Sequence, residues 1–335
     1  MKGFQRKGDV MKIAILIPTL DPYGAERVAL RLAEGFRDKG LDVALISTDK
    51  PCPVPMPGVS LYSLWQGTKL LDIHQELLYA PLQWWRLYRF LKKEKIQVLM
   101  SLMERANIFS ILLPMNIKRI LTIHSYMERS LKERPFIKRF FSNLFYTHAI
   151  NRADLVACVS QVACLDFCQR YPVSADKITT IHNPLDVDPI IAKAQEPLEP
   201  QYQEIFNGRV IIHIGRFSRD KGQWYLIRAF KKILETQPDV QLVLVGEGEL
   251  RQYYEELIQN LGLKGKVHLT GFHQNPFKFI SKATVLAFTS LWEGFPNTLV
   301  EALICNAAVV ASDCKSGPRE ILAPGTDMSM VTSGI

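Results

Sequence analysis

The sequence predicts an α/β protein built from two parallel-sheet domains. Three observations lead there. The chain has 335 residues, long for a single hydrophobic core. Short runs rich in Val, Ile and Leu alternate with stretches whose apolar residues recur at helical spacing. A break carrying Pro184, Pro189, Pro197 and Pro200 divides that alternation into two similar halves. Strands alternating with helices form parallel sheets covered on both faces.

In the first half, strands are expected at Lys12–Pro18, Asp42–Ser47, Gln97–Ser101, Arg119–Ile123, Leu155–Ser160 and Ile178–His182. Between the first two, Glu26–Lys39 places Ala29, Leu32, Ala33 and Phe36 at helical spacing and stops before Gly40. The second half restarts with strand Arg209–Ile214 and helix Lys221–Glu235. Strand Gln241–Val245, helix Glu249–Leu261 and strand Lys266–Thr270 follow. A short helix near Pro276–Ser281, strand Thr284–Phe288, helix Asn297–Cys305 and strand Ala308–Ser312 complete the pattern. The expected domains are 1–183 and 209–335, joined by a linker over 184–208. Ile13–Pro18 reads as a first strand rather than a signal peptide, with Met11 as the natural start. Met328–Ile335 looks unfinished, so a missing C-terminal part is expected.

Composition narrows the class. A 22% charged and 47% hydrophobic chain has the balance of a globular protein. No apolar run approaches the roughly 18–20 residues that span a bilayer. Cys52, Cys158, Cys164, Cys168, Cys305 and Cys314 form no C-x-x-C pair, and reduced, mostly buried thiols are expected. Residues 1–183 carry 26 Lys+Arg against 16 Asp+Glu, and this half holds the positive surplus behind the net charge of +8. A basic half suits an anionic partner such as phosphate or acidic lipid. Nucleic-acid binding has only that net charge in its support.

The motifs with chemical content sit at strand ends. After VIIHI comes GRFSRDKG, with Gly215, Arg216, Lys221 and Gly222. A guanidinium forks on phosphate oxygens, and an ammonium adds a mobile point charge. Next come the turns Gly246–Glu247–Gly248 and Gly271–Phe272. In the segment WEGFPNTLVEA a Gly/Pro loop opens a helix near Pro296–Asn297. The amides of Thr298 and Leu299 are expected to point out of that helix start, where unpaired N–H groups and the dipole attract phosphate. Glu293 and Glu301 flank it, and carboxylates accept paired hydrogen bonds from sugar hydroxyls. Each feature alone also fits a turn, a cap or a surface charge.

Together these segments resemble the retaining glycosyltransferases of family 4. That resemblance implies the GT-B fold, two Rossmann-like domains with parallel sheets facing a central cleft. EGFPNTLVEA matches the family's E-x7-E donor motif, and GRFSRDKG its G-R-x4-K-G segment. Carried over, Glu293 holds donor-sugar hydroxyls and Glu301 the ribose. Phe295, Asn297, Thr298 and Leu299 surround sugar and phosphate, while Arg216 and Lys221 clamp the diphosphate near Gly215. Gly246, Gly248 and Phe272 lie near the base. In the first half, Tyr23–Glu26 looks like the family's Gly-rich loop and assigns Gly24 to the donor. Where the family often has two glycines, this chain has Gly24–Ala25. His124, in LTIHSYMERS, matches the family's active-site histidine, with Arg129 facing the acceptor. Ser160 and Asn183 also resemble family positions, and both equally fit turn residues.

The resemblance implies transfer of a sugar, an N-acetylhexosamine among the candidates, from a UDP-sugar co-substrate. The implied acceptor is a polyprenyl-diphosphate-linked glycan in bacterial surface glycan or glycoprotein assembly. It implies no further cofactor and no metal: Asp186–Asp188 spells D-x-D but is read as linker. Residues 76–95 and 129–145 mix basic and large apolar side chains, as membrane-surface helices do, and both also fit core packing. The implied location is cytoplasmic, peripheral at the inner face of the cytoplasmic membrane. A sugar-nucleotide epimerase, a phosphorylase of similar fold and a non-catalytic scaffold subunit are the alternatives.

Overall fold

A computed structural model of the chain describes residues 10–20, 24–49, 55–65, 73–127 and 136–327. The chain divides into two compact units, Met1–Pro184 and Leu185–Ile335.

The first unit holds a seven-stranded sheet. Its strands are β1 (Lys12–Ile17), β2 (Asp42–Ser47), β3 (Ser60–Ser63), β4 (Val98–Leu102), β5 (Lys118–Ile123), β6 (Leu155–Cys158) and β7 (Ile178–Thr180). They pair in the order β3-β2-β1-β4-β5-β6-β7, every pair parallel. Its helices are α1 (Gly24–Asp38), α2 (Ile73–Lys93), α3 (Glu104–Leu112), α4 (Phe136–Ala149) and α5 (Gln161–Arg170). Successive β1 residues face opposite layers. Ala14 and Leu16 join the core beneath α2 and α3, while Ile15 and Ile17 join the one beneath α1. Strand β3 was not expected from sequence. Four residues at the sheet edge carry too short a pattern to stand out.

The second unit holds a five-stranded parallel sheet: β8 (Val210–Ile214), β9 (Gln241–Val245), β10 (Val267–Gly271), β11 (Val285–Phe288) and β12 (Val309–Ala311). The order is β10-β9-β8-β11-β12. The chain therefore moves outward from β8 through β10, then returns to β8's other side with β11. That reversal is a topological switch point, outside which α/β sheets bind ligands. In β9, Leu242 and Leu244 face α8 (Gln223–Thr236) and α9 (Arg251–Asn260). Val243 and Val245 face α6 (Val187–Ala194), α10 (Phe277–Ile280) and α11 (Asn297–Ile304).

The expected linker 184–208 is corrected. Its residues from Leu185 on belong to the second unit, as α6 and α7 (Pro200–Phe206), with Ile190, Ala194 and Leu198 in the core. The prolines are compatible because Pro189 lies in the first turn of α6 and Pro200 begins α7, where no intrahelical N–H is needed. The D-x-D residues sit at the start of α6. The thiols are also less buried than expected: among the described cysteines only Cys158 is buried, and Cys168 is exposed.

Phe230, on α8, is fully buried in the core that this helix forms with the sheet. Phe230→Ala should destabilise the protein by about 3–5 kcal/mol through the cavity it leaves. A urea midpoint equal to wild type would show that this core is not formed as described.

Candidate active site

The turns after β10, β9, β8 and β11 interlock through their backbones. After β8, the chain runs through Gly215, Arg216, Phe217 and Ser218 into a 3-10 turn, Arg219–Lys221, and then Gly222. The Phe217 amide donates to the Glu247 carbonyl (2.8 Å), the Leu250 amide to the Phe217 carbonyl (3.0 Å), and the Gly246 amide to the Gly271 carbonyl (2.9 Å). A Cβ at Gly246 (φ +150°) would lie 2.0 Å from the Gly215 carbonyl oxygen. One at Gly248 would lie 2.4 Å from that of Phe217. Only glycine permits this approach. On the other side, the Thr289 hydroxyl donates to the Lys221 carbonyl (2.9 Å) and the Leu291 amide to the Asp220 carbonyl (2.7 Å).

These backbones place three charges together. Lys221 Nζ lies 2.7 Å from Glu293 Oε1 and 3.1 Å from Asp220 Oδ2. The Ser290 hydroxyl donates to the same Glu293 oxygen (2.6 Å), and the Ser218 hydroxyl to Asp220 Oδ1 (2.6 Å). Burial alone would lower the Lys221 pKa. The charges of Glu293 and Asp220, with their hydrogen bonds, outweigh it and hold the ammonium above its ordinary value. Burial likewise opposes ionisation of Asp220, but Lys221 and Ser218 hold its carboxyl below the ordinary carboxylate range. The Lys221 ammonium has three donors, so two carboxylate bonds leave one for a ligand. Arg216 is exposed at the strand end, and its guanidinium bonds to none of the described residues.

Beneath the turn lies His213, fully buried, with neither ring nitrogen hydrogen-bonded among the described residues. Burial, aided by the Lys221 charge, pulls its pKa down to about 3, so the ring is neutral at physiological pH. Its Cε1 would be 3.3 Å from a Cβ at Gly215.

The start of α11 differs from expectation. The Leu299 amide donates to the Pro296 carbonyl (3.0 Å), and its side chain is fully buried in the core. Leu299 is therefore a packing residue whose amide is already bonded. Phe295, Asn297 and Thr298 are half-buried around the helix start. Glu301 is buried at 4% exposure, whereas Phe272 is 41% exposed just past β10. Sequence reasoning missed Asp220, Ser218 and Ser290. Asp220 was a variable position inside the G-R-x4-K-G match, and Ser290 carries no pattern of its own.

In the first unit, Gly24 opens α1 and is exposed, with nothing within 4 Å of a Cβ built there, so no steric contact demands glycine. His124 directly follows β5, is half-buried, and is bonded through Nε2 to the Thr122 hydroxyl (2.8 Å). Burial pulls its pKa down to about 4. Ser160 caps α5 by accepting from the Ala163 amide (3.2 Å), the turn role already open to it. Arg129 lies outside the described residues.

Residues 22–189 match the profile described as Glycosyltransferase Family 4, and residues 195–333 that of Glycosyl transferases group 1. The chain belongs to glycosyltransferase family 4. An uncharacterized glycosyltransferase of Methanocaldococcus jannaschii is 39% identical over 215 residues, 64% of this chain and 52% of that protein. The match thus spans about half the length of that relative. N-acetylgalactosamine-N,N'-diacetylbacillosaminyl-diphospho-undecaprenol 4-alpha-N-acetylgalactosaminyltransferase of Campylobacter jejuni is 29% identical, covering 93% of this chain and 83% of that protein. Among solved structures, Anabaena HepE in complex with UDP and glucose superposes with a TM-score of 0.69 at 21% identity, covering 91% of this chain and 81% of that one. The two parallel-sheet units of this family 4 chain are thus those of the GT-B class.

Gly246→Ala should cost at least about 1–3 kcal/mol, because both the backbone angle and the Gly215 carbonyl oppose a side chain. The readout is the thermal midpoint. An unchanged Tm would mean that the turns after β8 and β9 are not packed as described.

Proposed function

We propose that this protein transfers a sugar from a nucleoside-diphosphate donor to a polyprenyl-diphosphate-linked glycan, with retention at the anomeric carbon. The observation that carries the reading is the Lys221–Glu293 pair, which bridges the turns after β8 and β11 across the switch point of the second sheet. Glu293 Oε2, which bonds to none of the described residues, is assigned to accept from vicinal sugar hydroxyls. Arg216, the third Lys221 donor and the start of α11 meet the charge that develops on the departing diphosphate. With those cations in place, the reading assigns the step no metal ion and predicts turnover unchanged by EDTA. No described carboxylate is assigned as a covalent nucleophile; the departing phosphate serves as base for front-face attack.

UDP as carrier is supported by the ligand of the Anabaena structure, and an N-acetylhexosamine with a lipid-linked acceptor by the Campylobacter enzyme's name. Lys221→Ala and Glu293→Ala should each lower turnover by about 10²–10³ or more while the fold persists. The assay is transfer from UDP-N-acetylhexosamines to an undecaprenyl-diphosphate glycan, with product configuration read by NMR. Wild-type-like rates in either variant would end the proposal. Interconversion of the donor without acceptor would identify an epimerase instead.

A peripheral membrane location is supported by the first unit's surface. No described helix is long and apolar enough to cross a membrane. On α4, Phe136, Phe140, Phe141 and Leu144 are exposed, and Arg139 lies over the Phe136 ring. On α2, Tyr79, Leu82 and Trp85 are exposed, with Arg89 over Trp85. Core packing, the other reading of these stretches, does not describe these side chains. Aromatics interleaved with cations suit an anionic lipid surface. The chain should sediment with anionic vesicles and not with zwitterionic ones, and Phe140→Ser with Phe141→Ser should abolish that. No recovery on anionic vesicles at low and moderate salt would point to a soluble acceptor, and equal recovery on both vesicle types would remove the role given to the cations.

A further inference from the structure

The hydrogen bonds around His124 determine which ring nitrogen carries its proton. Thr122 Oγ1 lies 2.9 Å from the Ser101 carbonyl oxygen and 2.8 Å from His124 Nε2. A hydroxyl has one proton, and a carbonyl oxygen only accepts. Both contacts are hydrogen bonds only if Oγ1 donates to Ser101 and accepts from the ring. Nε2 then bears the hydrogen. The neighbouring side chains are held in place as well. The Ser101 hydroxyl donates to Asn107 Oδ1 (2.7 Å), and Asn107 Nδ2 donates to the Thr122 carbonyl (3.0 Å). Thr122, Ser101 and Asn107 are all buried.

A neutral imidazole has a single N–H, so a protonated Nε2 leaves a lone pair on Nδ1. Nδ1 bonds to none of the described residues, and it is not among the buried polar atoms left without a partner. Burial, which pulls the ring pKa to about 4, keeps it in the neutral form near pH 7.

We infer that Thr122 is a positioning residue that fixes His124 as the Nε2–H tautomer, so that Nδ1 is presented as a hydrogen-bond acceptor to a hydroxyl of a sugar substrate. The substrate part rests on the function proposed above; the tautomer part does not. Had the ring carried its proton on Nδ1, it would offer a donor there and could not accept from a hydroxyl. The buried triad of Ser101, Asn107 and Thr122 thus acts on substrate only through the ring.

The test is long-range 1H–15N NMR on the full chain labelled at histidine nitrogen, with the His124 signals assigned by His124→Asn. At pH 7 the wild type should show a protonated, pyrrole-type Nε2 and a bare, pyridine-type Nδ1. Thr122→Val, close in shape but without the acceptor, should lose that pattern, and Thr122→Ser should restore it. In the transfer assay Thr122→Val should lower kcat/KM by about tenfold, the worth of one hydrogen bond, with recovery in Thr122→Ser. Tm is measured on all variants, and the Ser variant separates positioning from packing. A wild-type ring protonated on Nδ1, or a Thr122→Val ring unchanged from wild type, overturns the tautomer assignment. The expected ring signals with kcat/KM unchanged in Thr122→Val overturn the substrate role. A wild type with the expected ring signals but no transferase activity supports the tautomer and overturns the proposed function, since the NMR measurement needs no substrate.

Discussion

A lysine held between two carboxylates ties the second unit's candidate site together. Lys221 is drawn toward Glu293 and Asp220, and those carboxylates come from turns on opposite sides of the sheet's reversal point. Taking an ammonium out of water is costly unless its charge and its donors are both met. Here they are met by residues that no single turn supplies. The turn after β8 must therefore lie against the turn after β11, and the backbone bonds from Thr289 and Leu291 fix that approach. Glycines at 246 and 248 let the turn after β9 close in from the other flank.

The strands were legible because both faces of a parallel sheet are buried, so their runs are continuously apolar. Strand β3 escaped because an edge strand of four residues has little pattern to show. The misread linker has a different cause. Proline count marks a break in a helix interior, but Pro189 and Pro200 stand in first turns, where they favour the helix. A count could not see position within a turn.

The candidate site was legible where spaced, named residues come together, as Lys221 and Glu293 do. It was not legible where the chemistry is relational. Asp220 matters because it lies beside Lys221, and Ser290 because its hydroxyl reaches Glu293. Neither relation follows from spacing. Leu299 shows the converse. Its place at the helix start suggested an open amide, yet the helix turns tightly enough for Pro296 to take it.

Arg216 and Lys221, two of the cations after β8, differ in a way that divides their labour in time. Lys221 is already neutralised by neighbours, so its pull on an approaching anion is weak at a distance and strong only at contact. Arg216 stands exposed and makes no hydrogen bond or ion pair among the described residues, although its charge is felt by Asp220. Its field reaches outward until salt screens it, within about 8 Å at physiological ionic strength. Arg216 is thus suited to set how fast an anion arrives, and Lys221 how long it stays.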